Sequence, residues 1–528
     1  MGFQEHVAQM KTMIDRLKAL TSDLGLGNTG DEYKIISELF TYKFLNDKLL
    51  YDFNKREDKE EDFDEFVYYA DANTAKMNKE HLISELFNQQ SEDNFHVIFD
   101  SALQEVSELN KDIYSIETTT GSKKPLFEPL SAYLRDEDKE LELAKRAINI
   151  LFEFDFGNIY EGGFDYFSTV FEHLISDYNK DSGQYAEYFT PLFAGQIMAD
   201  IVFDDTPVTN VSVYDPAAGS GTLLLSLASK IGTNNCTIYS QDISQKSTSF
   251  LRINLILNKL AHSLHNVKEG NTLLMPAHKE DDKLQKFDFI VSNPPFKTDF
   301  SSIIESLKVD PYNRFFAGVP NIPNKKKDDM SIYLCFLQHI LATLSNAGKA
   351  AIVVPTGFLT AKKGIEKQIR QQIIKDKMLK GVISMPPNIF ANTGTNVSVL
   401  FLDKSKKYDN AFFMDASNLG KKIKLDGKNQ KTVLSNSEIR DIILTFKTNT
   451  EKEGFSVLVP YEDIINKGKF SFIAGQYFNI KIEYVDITQK EFLTKIDEFK
   501  ELLQKNFTEA RILEREIIEG LGDLKYEE

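Results

Sequence analysis

Short apolar runs rich in β-branched residues alternate with longer amphipathic stretches between about residues 186 and 404, and this alternation constrains the fold more than any other feature. The predicted strands are VSVYD (211–215), TIYSQD (237–242), FDFIVSN (287–293), KAAIVVP (349–355), KGVISMP (380–386) and NVSVLFLDK (396–404). Amphipathic helices are predicted between them, for example over residues 246–260 and 329–344. This alternation predicts an α/β fold with a mostly parallel, doubly wound sheet.

The segments on either side of this region have helical patterns. In residues 31–53, apolar side chains recur every three or four positions, so we predict a helix within an all-α N-terminal domain. Residues 488–519 form one long helical pattern with an apolar stripe made by Phe492, Ile496, Phe499, Leu503, Phe507, Ala510 and Ile517. Such a helix packs either on its own protein or on a partner, and its period does not decide between them.

These patterns predict several domains in a chain of 528 residues, which is too long for one ordinary core. The predicted domains are an N-terminal helical domain (1–155), a central α/β domain (156–405), a mixed region (406–487) and a long C-terminal helix that binds a partner (488–528). Residues 405–470 are rich in lysine, and their sequence pattern does not predict a particular helix or strand.

Composition excludes several classes of protein. The chain has no run of about eighteen apolar residues, so we predict no membrane span, and its first residues lack the apolar core of a secretory signal. Cys236 and Cys335 are far apart and have no metal-type spacing, so we predict buried thiols, a reducing cytoplasmic location and no metal site. The net charge of −17 limits how tightly the chain alone can hold DNA.

A glycine-rich turn, DPAAGSG (215–221), follows the first predicted strand and opens a helix. Gly219 and Gly221 permit a tight turn and a close approach of the backbone to a ligand. Asp215 ends the strand before the turn, and Asp242 ends the next strand, 21 residues after Gly221. An acidic residue at this spacing binds ribose hydroxyls, and without a third glycine or a Lys-Ser/Thr pair the ligand need not carry phosphates. The turn therefore predicts a site for an adenosine-type ribose; the alternative is a structural turn with a surface aspartate.

The segment EYFTP (187–191) precedes a predicted helix. Thr190 suits the N-cap of that helix, and Pro191 suits its first position. Tyr188 and Phe189 lie just outside the cap, where two aromatic rings can wall a pocket.

The run FDFIVSNPPF (287–296) ends a buried strand with an amide, two prolines and an aromatic ring. A strand followed by a turn explains the prolines but not Asn293 or Phe296. Methyl transfer to an exocyclic amine gains from two fixed acceptors, which the Asn293 side-chain oxygen and the Pro294 carbonyl supply, while Pro295 keeps the geometry rigid. Phe296 offers a face on which an extruded base can stack.

These motifs follow an order that resembles amino-methylating S-adenosylmethionine enzymes, and more closely the modification subunit of type I restriction–modification systems. The likeness covers nearly the whole chain, through EYFTP, DPAAGSGTLL, the acidic Asp242, GNTL (270–273), NPPF, DEYKIISELFTYKFL, DMSIYLCFLQH, GKAAIVVPTGFL and PPNIFANTGTNVSVLFL. It implies an adenine-N6 DNA methyltransferase whose Rossmann-like, S-adenosylmethionine-dependent catalytic domain lies between the helical domain and the helical tail. It also implies a specificity subunit that reads DNA, two copies of this chain for each specificity subunit, and a separate restriction subunit.

The resemblance also assigns residues to the site. By that likeness, Asn293, Pro294, Pro295 and Phe296 hold the target adenine. The residues implied to bind S-adenosylmethionine are Glu187, Tyr188, Phe189, Thr190, Pro191, Leu192, Asp215, Gly219, Ser220, Gly221, Thr222, Asp242 and Asn271. Leu192 departs from the family, which often has a basic residue there, and so does Asn271, where related enzymes often have aspartate.

Three other functions fit part of the sequence. A protein glutamine-N5 methyltransferase also uses Asn-Pro-Pro-aromatic for an amide nitrogen, but it resembles the chain only in the core and usually has Tyr at the position of Phe296. A scaffold subunit would bind the cofactor without catalysis, and the intact Asn293 and Phe296 weigh against it. A fused restriction–modification enzyme would need a nuclease domain, and none is found in the first 150 residues.

Overall fold

The computed structural model describes residues 3–27, 29–57, 62–71, 73–117, 123–134, 136–156, 159–160, 173, 190–389, 396–425, 429–478 and 487–522. The chain forms two compact units, residues 1–478 and residues 479–528. No helix among the described residues is both long enough and apolar enough to cross a membrane.

The N-terminal part of the first unit is helical, as predicted. Its elements are α1 (Phe3–Asp23), α2 (Gly30–Lys55), α3 (Phe63–Tyr69), α4 (Ile83–Gln89), α5 (Phe95–Leu109), α6 (Lys111–Tyr114), a small antiparallel pair β1 (Ile116–Glu117) and β2 (Lys123–Lys124), and α7 (Glu137–Glu153). The helix predicted over residues 31–53 is α2, and the Thr29 side chain caps it by accepting a hydrogen bond from the Glu32 N–H. Its apolar face is buried in a core that also contains residues of the central region. The domain boundaries drawn within residues 1–478 stay predictions.

The central part of the first unit is a sheet with helices around it. Its strands are β3 (Val211–Asp215), β4 (Cys236–Asp242), β5 (Val267–Glu269), β8 (Phe287–Ser292), β9 (Leu344–Pro355), β10 (Leu379–Ser384), β11 (Val397–Asp403), β12 (Asn410–Asp415) and β15 (Ser456–Pro460). Within the described residues these nine strands form one sheet, in the order β15-β12-β10-β11-β9-β8-β3-β4-β5. Two antiparallel hairpins stand apart from it: β6 (Lys279–Glu280) with β7 (Lys283–Leu284), and β13 (Lys421–Leu425) with β14 (Asn429–Val433).

Helices connect and cover these strands. They are α8 (Leu192–Val202), α9 (Thr222–Ile231), α10 (Gln245–Leu257), α11 (Ile304–Lys308), α12 (Tyr333–Thr343), α13 (Gly357–Thr360), α14 (Ile365–Lys375), α15 (Asn436–Thr448) and α16 (Tyr461–Asn466). All six predicted strands are confirmed. The largest difference between a predicted and an observed strand boundary is in β9, which begins at Leu344 rather than at residue 349. Every residue of β11 is buried, as expected of a strand covered on both faces of the sheet.

The direction of the strands places many loops at one edge of the sheet. The sheet is parallel from β5 through β4, β3 and β8 to β9, as predicted, and it is mixed beyond β9. Strand β11 runs antiparallel to β9 and β10, and β12 runs parallel to β10. The carboxyl ends of β3, β4, β8, β9, β10 and β12 therefore share one edge, which we call the carboxyl edge. Ligands of open α/β sheets bind at this edge.

The second unit contains α17 (Gln489–Gly522), the predicted terminal helix. Most of its apolar stripe is exposed, since Ile496 is half-buried while Phe492, Phe499, Leu503, Phe507 and Ile517 are 52–63% accessible. Apolar side chains at this level of exposure along one helix face are typical of a surface that another chain covers.

Candidate active site

The glycine turn joins β3 to α9 at the carboxyl edge. Gly219 and Gly221 have positive φ angles, +53° and +86°, which residues with a Cβ rarely adopt. A Cβ on Gly221 would also lie 2.2 Å from Cδ1 of Leu251 on α10. Gly221 therefore needs glycine, Gly219 has a φ angle that favours it, and the bare backbone of the turn permits close approach by a ligand.

Asp242 ends β4 and is tied to the glycine turn. Its Oδ2 accepts a hydrogen bond from the Gly219 N–H at 2.9 Å, and its Oδ1 accepts one from the Ser244 N–H at 2.8 Å. Burial raises the pKa of Asp242, and these two N–H groups oppose that shift. A carboxylate has about four acceptor positions, so Asp242 keeps lone pairs for a ligand while it holds the turn.

Asp215 ends β3 and is only 2% exposed. Its Oδ1 accepts hydrogen bonds from the Ala217 N–H at 2.9 Å and from the Ser292 hydroxyl at 2.7 Å. Burial raises the pKa of Asp215 to about 7; the two hydrogen bonds oppose the shift, and the charge of Asp242 adds to it. Because the charge of Asp242 acts on Asp215, a cationic ligand between the two carboxyl groups would be favoured. In the described part of the chain, no group of His, Cys, Asp and Glu has the arrangement of a metal site.

A cavity lies between the glycine turn, the segment before α8 and the end of β8. It is lined by Thr190, Asp215, Ala217, Ala218, Ser220, Thr222, Leu223 and Asn293, and it encloses about 260 Å³ of empty space, part of it open to solvent. Five of the predicted site residues thus come together here: Thr190, Asp215, Ser220, Thr222 and Asn293. The other three lining residues are not among the predicted ones, because alanine and leucine in a single sequence carry no chemical signal.

Thr190 has a different role from the predicted one. Helix α8 begins at Leu192 with Pro191 as its N-cap and without a side-chain cap, so the predicted cap at Thr190 and first helical position at Pro191 are wrong. The hydroxyl is used elsewhere: Nδ2 of Asn293 donates to Oγ1 of Thr190 at 3.1 Å. This hydrogen bond orients the Asn293 amide, whose Oδ1 has no hydrogen-bond partner among the described residues.

The Asn-Pro-Pro-Phe run follows β8 at the carboxyl edge. Pro294 is buried, while Asn293, Pro295 and Phe296 are half-buried. The Phe296 ring meets the ring of Tyr333, the first residue of α12, edge to face at 6.5 Å and 87°. This contact fixes the Phe296 ring and leaves part of it accessible to a ligand.

Asn271 lies in the segment after β5. Its Oδ1 accepts hydrogen bonds from the N–H groups of Leu273 and Leu274, at 3.0 and 3.1 Å. The Thr272 hydroxyl donates to the Pro216 carbonyl at 2.7 Å, which holds the segment against the glycine turn. Asn271 therefore offers its Nδ2 donor to a ligand, whereas an aspartate at this position would offer an acceptor.

Arg314, which no motif of the sequence marks, is 2% exposed and supports the same segment. Its guanidinium pairs with Asp310 at 2.7 Å and donates to the carbonyls of residues 272–273. It also donates to Nδ1 of His339 at 3.1 Å, and Nε2 of His339 lies 3.0 Å from the Tyr214 hydroxyl. Burial, together with the charge of Arg314, holds the pKa of His339 well below its usual range, so the ring is neutral and its hydrogen is on Nε2.

The glycine turn, the strand-end carboxylates and the Asn-Pro-Pro-Phe run lie inside one family match: residues 163–483 match the N-6 DNA methylase family, which is more than half of the chain. The chain belongs to the N-6 DNA methylase family. The match includes the whole nine-stranded sheet of the described residues, and it confirms the family resemblance that the motifs indicate.

Relatives of this N-6 DNA methylase include methylase subunits of type I restriction enzymes. It is 30% identical over 343 residues to the type I restriction enzyme MpnII methylase subunit of Mycoplasma pneumoniae, with 63% of this chain and 61% of the relative covered. It is 27% identical over 380 residues to the MjaIX methylase subunit of Methanocaldococcus jannaschii, with 68% of this chain and 63% of the relative covered. The chain thus spans less than two thirds of the length of either relative.

A solved structure has the same fold. The type I restriction-modification system methyltransferase subunit from Streptococcus thermophilus superposes with a TM-score of 0.66 at 20% identity, covering 91% of this chain and all of the other. The predicted α/β fold with a helical N-terminal part and a helical tail is therefore confirmed.

Several predicted residues of this N-6 DNA methylase are not placed in the cavity. Glu187, Tyr188 and Phe189 lie outside the described residues. Pro191 is buried and Leu192 half-buried at the start of α8, and neither lines the cavity.

Two apolar side chains near the site are unusually exposed. Ile243 directly follows Asp242 and is 71% accessible, and Met275 follows the Asn271 segment and is 69% accessible. Neither is among the predicted residues, although Ile243 directly follows the aspartate that is predicted to bind ribose. A flat apolar ligand would cover such side chains.

Proposed function

We propose that the chain is the methylating subunit of a type I restriction–modification complex, which transfers a methyl group from S-adenosylmethionine to adenine N6 in DNA. The observation that carries the proposal is the Thr190–Asn293 hydrogen bond at the wall of the cavity that Asp215 and the glycine turn also line. A group bound at the turn and an amine held by Asn293 would meet in that cavity. The similarity to named type I methylase subunits supports this function.

The residues at the turn fit S-adenosylmethionine. Asp242 keeps lone pairs beside the turn for ribose hydroxyls, and the carboxyl groups of Asp215 and Asp242 complement a cationic ligand. The exposed Ile243 offers an apolar surface to a purine ring, and Nδ2 of Asn271 offers a donor to a ring nitrogen. When bound, the cofactor supplies an electrophilic methyl group on a sulfonium sulfur.

Asn293 and Pro294 prepare the amino group of the target base. Oδ1 of Asn293 and the Pro294 carbonyl each accept one of its N–H groups, so the nitrogen becomes more tetrahedral and its lone pair turns towards the cavity. Thr190 holds the amide in the orientation that presents Oδ1. The same fixed acceptors stabilise the positive charge that develops on the nitrogen. Phe296 offers its accessible surface to the extruded base.

The proposed function includes partner chains. A net charge of −17 gives the chain little overall attraction for a duplex, although its proposed substrate is a base within one. A specificity subunit that grips and reads the DNA removes this conflict, in a complex with two copies of this chain and a restriction subunit. The exposed stripe of α17 is the proposed contact with the specificity subunit.

The test is the transfer of a labelled methyl group from S-adenosylmethionine to duplex DNA by the full chain with a specificity subunit. We expect N6-methyladenine as the product. Asn293→Ala should slow transfer at least about a hundredfold, the effect of losing one preorganised contact, while cofactor affinity stays the same. Asn410→Ala, at an exposed position on the opposite edge of the sheet, is the control. Label on a protein glutamine, or near wild-type transfer by Asn293→Ala, would overturn the proposal.

A further inference from the structure

The β13–β14 hairpin carries a local excess of positive charge. Residues 419–433, LGKKIKLDGKNQKTV, contain five lysines and one acidic residue, in a chain with a net charge of −17. Lys421, Lys422 and Lys424 are exposed, and Lys431 is half-buried. These four residues, which we call the lysine cluster, form no ion pair within the part of the chain that the structure describes.

The hairpin is rooted at the carboxyl edge. It follows β12, whose carboxyl end, Asp415, lies at that edge. The Thr432 N–H donates to the Asn388 carbonyl at 3.0 Å, and the Thr432 hydroxyl donates to the Pro387 carbonyl at 2.6 Å. Residues 387 and 388 follow the carboxyl end of β10, so the root of the hairpin is fixed in front of β10.

The register of the hairpin places two of the lysines on the face that meets this edge. Lys422 pairs with Thr432, and Lys424 pairs with Gln430. Directly opposite residues of an antiparallel pair share a face, and so do residues two positions apart in a strand. Thr432 is only 1% exposed because its side chain contacts Pro387. Lys422 and Lys424 therefore stand on the docked face, with Lys424 further from the root.

The order of the strands gives the distance from the hairpin root to the candidate active site. Three strand spacings separate β10 from β8, which leads into Asn293. At about 4.8 Å for each spacing, the two strand ends are roughly 14 Å apart. That distance corresponds to about four base pairs of a duplex at 3.4 Å per step. Lys362 and Lys363 are also exposed, and they follow α13 directly after β9, whose carboxyl end lies between the two.

We propose that the lysine cluster binds the phosphate backbone of the duplex beside the target adenine, so that this chain contributes a DNA contact of its own. The inference rests on the proposed function, and it adds the surface through which the substrate is held. Lysines that neutralise phosphates release counterions whatever the sequence is. The cluster therefore positions the duplex next to Asn293 and leaves the choice of sequence to the specificity subunit.

The experiment compares two triple variants of the full chain in binding to a labelled DNA duplex, measured by fluorescence anisotropy over a series of salt concentrations. Lys421→Ala, Lys422→Ala and Lys424→Ala together remove the exposed part of the cluster. We expect affinity at low salt to fall about tenfold, and the slope of log affinity against log salt to become shallower by roughly two to three.

The matched control removes the same charge from the opposite edge of the sheet. The control variant is Lys375→Ala, Lys406→Ala and Lys407→Ala. Lys375 is the last residue of α14, Lys406 and Lys407 follow the end of β11, and all three side chains are exposed. The control should bind duplex like the wild type, and S-adenosylmethionine affinity should be equal in all three proteins.

Three results would overturn the inference: equal salt slopes in wild type and cluster variant, an equal loss in the control, or no duplex binding by the wild type at low salt. A cluster variant that loses only its binding to the specificity subunit would place a protein, not DNA, on the hairpin, and would also overturn it. Failure of the proposed function looks different, since the wild type would then lack cofactor binding or methyl transfer whatever the anisotropy shows.

Discussion

The carboxyl edge of the sheet and helix α17 present opposite kinds of surface. At the edge, polar groups are held by neighbours in the same chain: the Asp242 carboxylate by two N–H groups and the Asn293 amide by Thr190. Along α17, five large apolar side chains of the stripe are 52–63% accessible. The groups for chemistry are thus organised within one chain, whereas the apolar stripe gains its stabilisation only when another surface covers it.

Catalysis and assembly should therefore fail separately in this molecule. A change at the carboxyl edge should alter the affinity for ligands or the rate of transfer and leave assembly unchanged. A change on α17 should alter assembly and leave the cofactor site unchanged. Variants on each surface, assayed for both properties, test this separation.

The largest effect is expected from the α17 stripe. Phe499→Asp with Leu503→Asp puts two charges in the proposed contact, and activation by the specificity subunit should fall at least a hundredfold, on the order of 2 kcal/mol for each lost anchor. Gln504→Asp with Thr508→Asp adds the same charge on a different face of the helix, and should leave activation unchanged. Methylation rate is measured against specificity-subunit concentration, with cofactor affinity as a check on folding. An equal loss in both pairs would show that the stripe is not the contact.

Asp215→Asn should change how stability depends on pH. Because burial raises the pKa of Asp215 from 3.8 to about 7, the folded chain holds a proton between those values that the unfolded chain has released. The free energy of unfolding contributed by this group therefore falls as pH rises through that window, in total on the order of 4 kcal/mol. Asparagine is always neutral and still accepts the two hydrogen bonds, so this loss should disappear.

Thermal unfolding of the cofactor-free proteins between about pH 4 and pH 8 checks this at constant ionic strength. The variant should match the wild type at the acidic end and be more stable at the alkaline end, while its affinity for S-adenosylmethionine is weaker. Parallel pH profiles for the two proteins would contradict the burial of an ionisable carboxyl group at this position.

Asp242→Ala tests the ribose contact. Its loss should weaken S-adenosylmethionine binding by roughly 1–3 kcal/mol, the scale of a hydrogen bond to a charged group. Titration calorimetry on the folded variant measures the change. Since Asp242 also accepts from the N–H groups of Gly219 and Ser244, Asp242→Asn is the companion variant, because its single amide oxygen keeps one of these two hydrogen bonds without the charge. Unchanged affinity in Asp242→Ala would remove the ribose assignment.

The smallest effect is expected at Thr190. Thr190→Val removes the acceptor for Asn293 Nδ2 at nearly constant volume. This should raise the activation barrier of transfer by about 1 kcal/mol and so slow transfer roughly two- to tenfold. Thr190→Ser keeps the hydroxyl and should transfer methyl groups at nearly the wild-type rate. Single-turnover rates with cofactor in excess separate this effect from binding. If valine and serine behave alike, the hydrogen bond does not orient the amide.

Elements with a strong local pattern were predictable, and elements defined by distant partners were not. Strand β8 was predictable from the sequence because its apolar run stops at Asn293 and two prolines. Strand β12 lies inside the lysine-rich region, and its pairing with β10 and β15 makes it a strand. Strand β5 is only three residues long, which is too short for any period to show.

The same distinction applies to the site. The place of Gly221 in a tight turn and that of Asp242 at the end of the next strand were predictable, because a glycine-rich turn and a strand end are local patterns in the sequence. The role of Thr190 was not, since its partner Asn293 lies 103 residues away, and a threonine before a proline at a helix start suggests a cap instead. Arg314 was hidden for the same reason, because its partner His339 is 25 residues distant and the carbonyls that it binds belong to the segment after β5.

The buried Arg314 joins the two sides of the candidate active site into one cooperative block. Its guanidinium binds the carbonyls of residues 272–273 and also His339 of α12, the helix whose first residue contacts Phe296. Separating either side would leave part of the buried guanidinium without hydrogen-bond acceptors even while Asp310 stays paired with it, at a cost of about 1–3 kcal/mol for each group left unsatisfied. Amide hydrogens of α12 and of the segment after β5 should therefore exchange with solvent at similar rates. A ligand that slows hydrogen exchange in one segment should also slow it in the other.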